Sequence, residues 1–183
     1  MASRKCCMQY LHVPSLVSGT LFLMEYYSLP VDAFVNHFLT VVNYRYSAIY
    51  GPTFTDQYVQ WWADRASGKR LSPEFTCLLL RVLSYSVQYL SPSLRKMIEF
   101  ELACTSQVLT DRFSDAAEQL SKGFSASNTC LERVQEQFLK GAWLKSESRI
   151  VESWHALGCT IREAQELGKS VYSRFSCILI NCY

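Results

Sequence analysis

The sequence predicts an all-α protein, an irregular bundle of layered antiparallel helical hairpins. Three observations predict it. Apolar residues recur at helical spacing in one stretch after another. No segment sustains the alternation of a strand between hairpin turns. The joints between periodic stretches are short and carry Pro, Gly or Ser. The chain has 183 residues, 49% hydrophobic and 19% charged, which suits one domain with a core of its own.

The elements follow in order. After Pro30, the residues Val31, Phe34, Val35, Phe38, Val41 and Val42 mark one helix, with Asp32 and Asn36 on its other face. An aromatic bend, Tyr44 to Tyr50, leads to a break at Gly51-Pro52. Thr53 is then expected to cap a short helix through Trp62, with Asp56 three residues on and Phe54, Tyr58, Trp61 and Trp62 on its apolar side. After the loop Ser67 to Arg70, Ser72 and Pro73 open the strongest helix. Phe75, Leu78, Leu79, Val82, Leu83, Ser86 and Leu90 line its stripe, and it should be almost wholly buried.

Ser91-Pro92 ends that helix. A long one is expected from about Leu94 to Leu120, with Thr110 as the candidate break, stopped by Gly123. Ser127-Asn128 should cap the next, built on Leu131, Val134, Phe138 and Ala142. The last runs from about Glu147 to Leu167 on Ile150, Trp154, Leu157, Gly158, Ile161 and Ala164. Glu152, Arg162, Glu163 and Glu166 give it a solvated face.

Several functions fall away. A net charge of +2 does not by itself call for nucleic acid. No stretch reaches the ~20 apolar residues of a membrane span, and residues 1–28 lack the pattern of a cleaved leader, so the chain reads as soluble and intracellular. The eight Cys include no C-x-x-C pair, where a zinc site places two thiolates on one turn; they read as buried thiols in a reducing compartment. His12, His37 and His155 are far apart and form no ligand pattern, and His37 and His155 fit packing roles. Gly168-Lys169-Ser170 imitates the end of a phosphate loop, but it closes a helix where that motif opens one. The rings of Tyr44, Tyr46, Tyr50, Phe54, Tyr58, Trp61 and Trp62 have only Arg45 among them, so packing explains them better than base stacking. Nothing requires an enzyme, and no cofactor is expected.

Two stretches resemble a known family. The first is "FLTVVNYRYSAIYGPTFTDQYVQWW" with the following "FTCLLLRVLSYSVQYL". It is similar to the opening of the regulatory region of fungal zinc-cluster transcription factors, with Pro52, Thr53 and Phe54 at the turn. The second is "RIVESWHALGCTIREAQELG". Its Arg149, Trp154, Gly158, Arg162, Ala164, Leu167 and Gly168 resemble the spacing of the family's most recognisable helix, and Leu131 to Trp143 stands where the partner helix belongs.

The resemblance covers residues 29–168 and implies a truncated regulatory domain, between an ill-defined segment 1–28 and an unrelated tail 169–183. It implies a nuclear regulator of transcription, with the cytoplasm open to an isolated fragment. Partners would be other proteins, the rest of a transcription factor or a small-molecule effector. The family's six-cysteine zinc cluster is missing, since residues 1–28 hold only Cys6 and Cys7; zinc is expected only in that absent module, and direct DNA contact is not expected. The tail is expected to come from truncation or intron read-through, because Gly-Lys-Ser can be encoded across a splice donor. A free-standing helical interaction module is the other reading. The resemblance expects Trp154 and Gly158 to face inward against the helix around Phe138, with Arg149 and Arg162 flanking that contact.

Overall fold

The computed structural model describes residues 28–124 and 130–168. His12, Cys6, Cys7, the expected cap at Ser127-Asn128 and the tail 169–183 lie outside the described residues. Among the described residues the structure is all-α, with seven α-helices and no strand.

Helix α1, Ser28–His37, runs on into a π-helical turn, Phe38–Val42, and a 3-10 turn, Asn43–Arg45. The wide turn is closed by the Asn43 N–H on the Phe38 carbonyl. The hydrogen bond spans five residues rather than four, and on this turn Phe38 and Val42 are buried while Val41 faces out. The Asn43 amide then brackets Ile49, donating to its carbonyl at 2.7 Å and accepting its N–H at 3.2 Å, which holds the aromatic bend.

Gly51-Pro52 starts a helix where a break was expected: α2 is Gly51–Ala66. Proline is at home in a first turn because its missing N–H has no partner there anyway. Tyr50, extended at φ −79° and ψ 110°, is the N-cap and offers no side-chain bond. Thr53 is therefore a helical residue, not the cap. Phe54, Tyr58 and Trp61 are buried as expected. Phe54 meets Phe75 at 5.4 Å between ring centres, and the Trp61 indole donates to Thr76 Oγ1 at 2.9 Å. Tyr44 and Tyr50, expected in the same packing, are exposed.

Helix α3, Pro73–Gln88, is capped by Ser72, whose hydroxyl accepts the Phe75 N–H at 3.2 Å. Every residue from Phe75 to Val87 is buried. The expected long helix is two: α4, Pro92–Leu102, and α5, Ser106–Ser121. The break lies at Ala103, left-handed at φ 49°, rather than near Thr110. A second start signal overrides the continuous periodicity. The Thr105 hydroxyl accepts the Val108 N–H, and the Glu99 carboxylate accepts the Ser106 N–H at 2.7 Å.

Helix α6, Leu131–Ser146, and α7, Ile150–Glu166, form the closing hairpin. Its tight turn passes through Ser148 at φ 61° and is tied by the Arg149 N–H to the Leu144 carbonyl at 2.9 Å. α3 is the axis of the fold, flanked by α1, α5 and α6, whereas among the described elements α7 packs substantially against α6 alone.

Candidate functional site

The motif residues meet at two places. Pro52 sits in the first turn of α2, Thr53 beside it is exposed, and Phe54 is buried against α3. These three shape the aromatic turn; they do not line a site.

The α6–α7 hairpin gathers the rest and reverses the sequence expectation. Trp154 is 54% exposed. A Cβ built on Gly158 meets nothing within 4 Å, so none of the described helices approaches there. The glycine that allows close approach is Gly141 on α6, where a Cβ would stand 3.0 Å from the Leu157 side chain and 3.6 Å from the Ser153 carbonyl. The Ser153 hydroxyl donates to the Gly141 carbonyl at 2.8 Å. The indole that fills space is Trp143 of α6, buried and donating to Thr110 Oγ1 at 3.0 Å; Thr110 in turn donates to the Ser84 carbonyl at 2.6 Å.

The reason lies in α7 itself. Ser153, Ala156, Thr160 and Ala164 form a stripe of small side chains and are the residues it buries. Short side chains let two helix axes come closer, and Gly141 of α6 receives them at the contact. Of the expected stripe, Ala164 is buried, Leu157 half-buried, and Ile150, Trp154 and Ile161 exposed.

Arg149 and Arg162 do not flank one contact. Thirteen residues make about three and a half turns, which puts them on different sides. Arg149 pairs with Glu152 one turn on and lies 6.0 Å from the Trp143 ring centre; Arg162 is exposed and donates to the Cys159 sulfur at 3.3 Å. Leu167 is half-buried, and Gly168 ends the hairpin in the left-handed region at φ 64°.

A second cluster carries most of the buried charge and was not foreseen. Arg81 of α3 and Glu136 of α6 are each 1% exposed. Arg81 Nε donates to Glu136 at 2.6 Å, one terminal nitrogen to the Ser114 hydroxyl at 2.9 Å, and the other to Glu118 at 2.9 Å. Lys140 closes on the same Glu118 carboxylate at 2.7 Å. Burial alone would raise the Glu118 carboxyl, but Lys140 and Arg81 outweigh it and hold it below the usual range. Burial works against the Arg81 charge too, and Glu136 and Glu118 more than offset it. Cys77, one turn before Arg81, donates its thiol to the Ala117 carbonyl at 3.2 Å. Burial and then Glu136 push that thiol far above its ordinary range, so it is an inert proton-bearing group. Such an assembly, closed on itself, ties α3, α5 and α6 in one register.

Of the described cysteines only Cys77 is fully buried; Cys104, Cys130 and Cys159 are half-buried, and all four are free thiols. His37 lies within 3.1 Å of the Tyr89 carbonyl, a packing role as expected, and His155 is exposed. Among the described residues no three of His, Cys, Asp or Glu are grouped to hold a metal ion, and no helix is long and apolar enough to cross a membrane.

The chain is 28% identical over 143 residues to the probable transcription factor sol4 of Alternaria solani. It is also 28% identical over 145 residues to transcription factor xilB of Penicillium rubens. The chain is similar to fungal transcription factors. Each match takes in 75% of this chain but only 25% of the first relative and 21% of the second, so the chain spans about a quarter or less of these transcription factors. No family model and no solved structure matches it.

Proposed function

We propose that the chain is a fragment of the helical regulatory region of a zinc-cluster transcription factor, acting in the nucleus on transcription by RNA polymerase II. It works through contacts with other proteins or with the rest of a longer factor, and a small effector is a further candidate. It performs no reaction.

The observation that carries this reading is the similarity to two fungal transcription factors across three-quarters of the chain. The zinc-cluster assignment adds the motif spacing from Arg149 to Gly168 and the turn at Pro52 to Phe54. It no longer leans on an inward Trp154, which the fold turns outward. Zinc belongs to this reading only through a DNA-binding module outside the chain. The four described thiols are separate and do not fit a six-cysteine cluster.

Sequencing the mature transcript tests it. A message that encodes a zinc cluster upstream in the same frame is the expected result. A message without one leaves a free-standing helical interaction module, the alternative reading, as the better account.

A further inference from the structure

Two of the five prolines follow a serine, at Ser72-Pro73 and Ser91-Pro92, and each serine caps a helix with its hydroxyl. Both serines are exposed. Both are extended, at φ −65° and ψ 120° for Ser72 and φ −60° and ψ 151° for Ser91, the backbone that a following proline favours. We infer that the fold opens Ser91, and closes Ser72, to phosphorylation by a proline-directed serine/threonine kinase.

Exposure does not separate the two serines; the helices that follow them do. A kinase takes the residues on both sides of its acceptor as extended chain, so the first turn after the proline has to open. After Ser91 that turn belongs to α4, where Ile98 is the one buried residue, and Pro92, Ser93, Arg95 and Lys96 are exposed. A segment with so few buried contacts opens at small cost. After Ser72 it belongs to α3, buried from Phe75 to Val87, and opening it unpacks the axis of the fold. The added charge makes the same choice. Arg95 and Lys96 follow Ser91 closely on α4, and a phosphate there keeps an acceptor for the Leu94 N–H now bonded to the hydroxyl. The Ser72 hydroxyl instead donates to Glu74 at 3.1 Å, where a phosphate would stand against a carboxylate. In the transfer, Ser91 Oγ attacks the γ-phosphorus of ATP and the bond from that phosphorus to the oxygen bridging it to the β-phosphorus breaks. ADP leaves, and the hydroxyl proton passes to the kinase's base.

The test incubates the full, folded chain with a mitogen-activated, proline-directed kinase and ATP, and locates the phosphate by peptide mass spectrometry. Ser91 should be modified at least about ten times faster than Ser72, and Ser91→Ala should lose the incorporation. The preference should shrink in short peptides of residues 68–78 and 87–97, which are too short to hold a helix that must open. A folded chain that takes no phosphate at Ser91, or takes it as fast at Ser72, overturns the inference. So does a preference as large in the peptides, since the local sequence and not the fold would then be choosing.

Discussion

Helices α3 and α7 are nearly equal in length and equally periodic, yet one is buried from Phe75 to Val87 and the other buries only four residues. α3 has apolar or hydrogen-bonded groups all round and is enclosed by α1, α5 and α6. α7 offers two apolar faces to a single partner. Periodicity says that a helix has a face to bury; the partner's shape decides which face that is. Gly141 admits the small side chains of α7 and leaves its large ones outside.

The deepest test of this contrast is the charge inside the axis. Glu136→Ala removes the fully buried partner of the Arg81 guanidinium, leaving it Glu118 and Ser114, and should cost up to about 3–5 kcal/mol, whereas Arg81→Met/Glu136→Leu should recover most of that loss; urea midpoints of the single and double variants decide. Next come the two indoles of the hairpin. Trp143→Ala should cost about 3–5 kcal/mol by thermal or urea unfolding, while Trp154→Ala should stay within about 1 kcal/mol of the parent. Equal losses would mean that both faces of the hairpin are packed.

The glycines sharpen the same point at smaller cost. Gly141→Leu should lose about 1–3 kcal/mol against Leu157. Gly158→Ala, in open space within a helix, should gain about 0.5–1 kcal/mol, again by unfolding midpoint. The smallest effect is acid sensitivity. The Glu118 carboxyl is depressed in the folded chain, so the stability it contributes is complete above its unfolded value and fades as pH falls through the folded one. The unfolding midpoints of the parent and Glu118→Gln should therefore differ at neutral pH and converge below the usual carboxylate range.

Much of the fold was legible because burial imposes a period. Helices α1, α3 and α6 lie where Phe34, Leu79 and Phe138 repeat, and Ser72 caps as its position before Pro73 requires. What escaped was whatever depends on a distant partner. Glu99 and Thr105 cut the expected long helix because of where Ser106 and Val108 place their N–H groups. Arg81 drew no notice in the sequence, since its partners Ser114, Glu118 and Glu136 are 33 to 55 residues away. The inward assignment of Trp154 failed for a related reason: its spacing fits a stripe, but so does that of Ser153, Ala156, Thr160 and Ala164.

The ion pair between the third and sixth helices also sets an order on the making of the protein. A growing chain released as far as Ser121 has Glu118 to pair with Arg81 but not Glu136, the carboxylate that meets its Nε. Enclosing a cation short of a partner is costly, so the axis is expected to seal only once the ribosome has delivered residue 136. Cuts upstream of that residue should leave pieces unable to close, while a cut in the turn at 147–149 removes a single outer layer from a finished body.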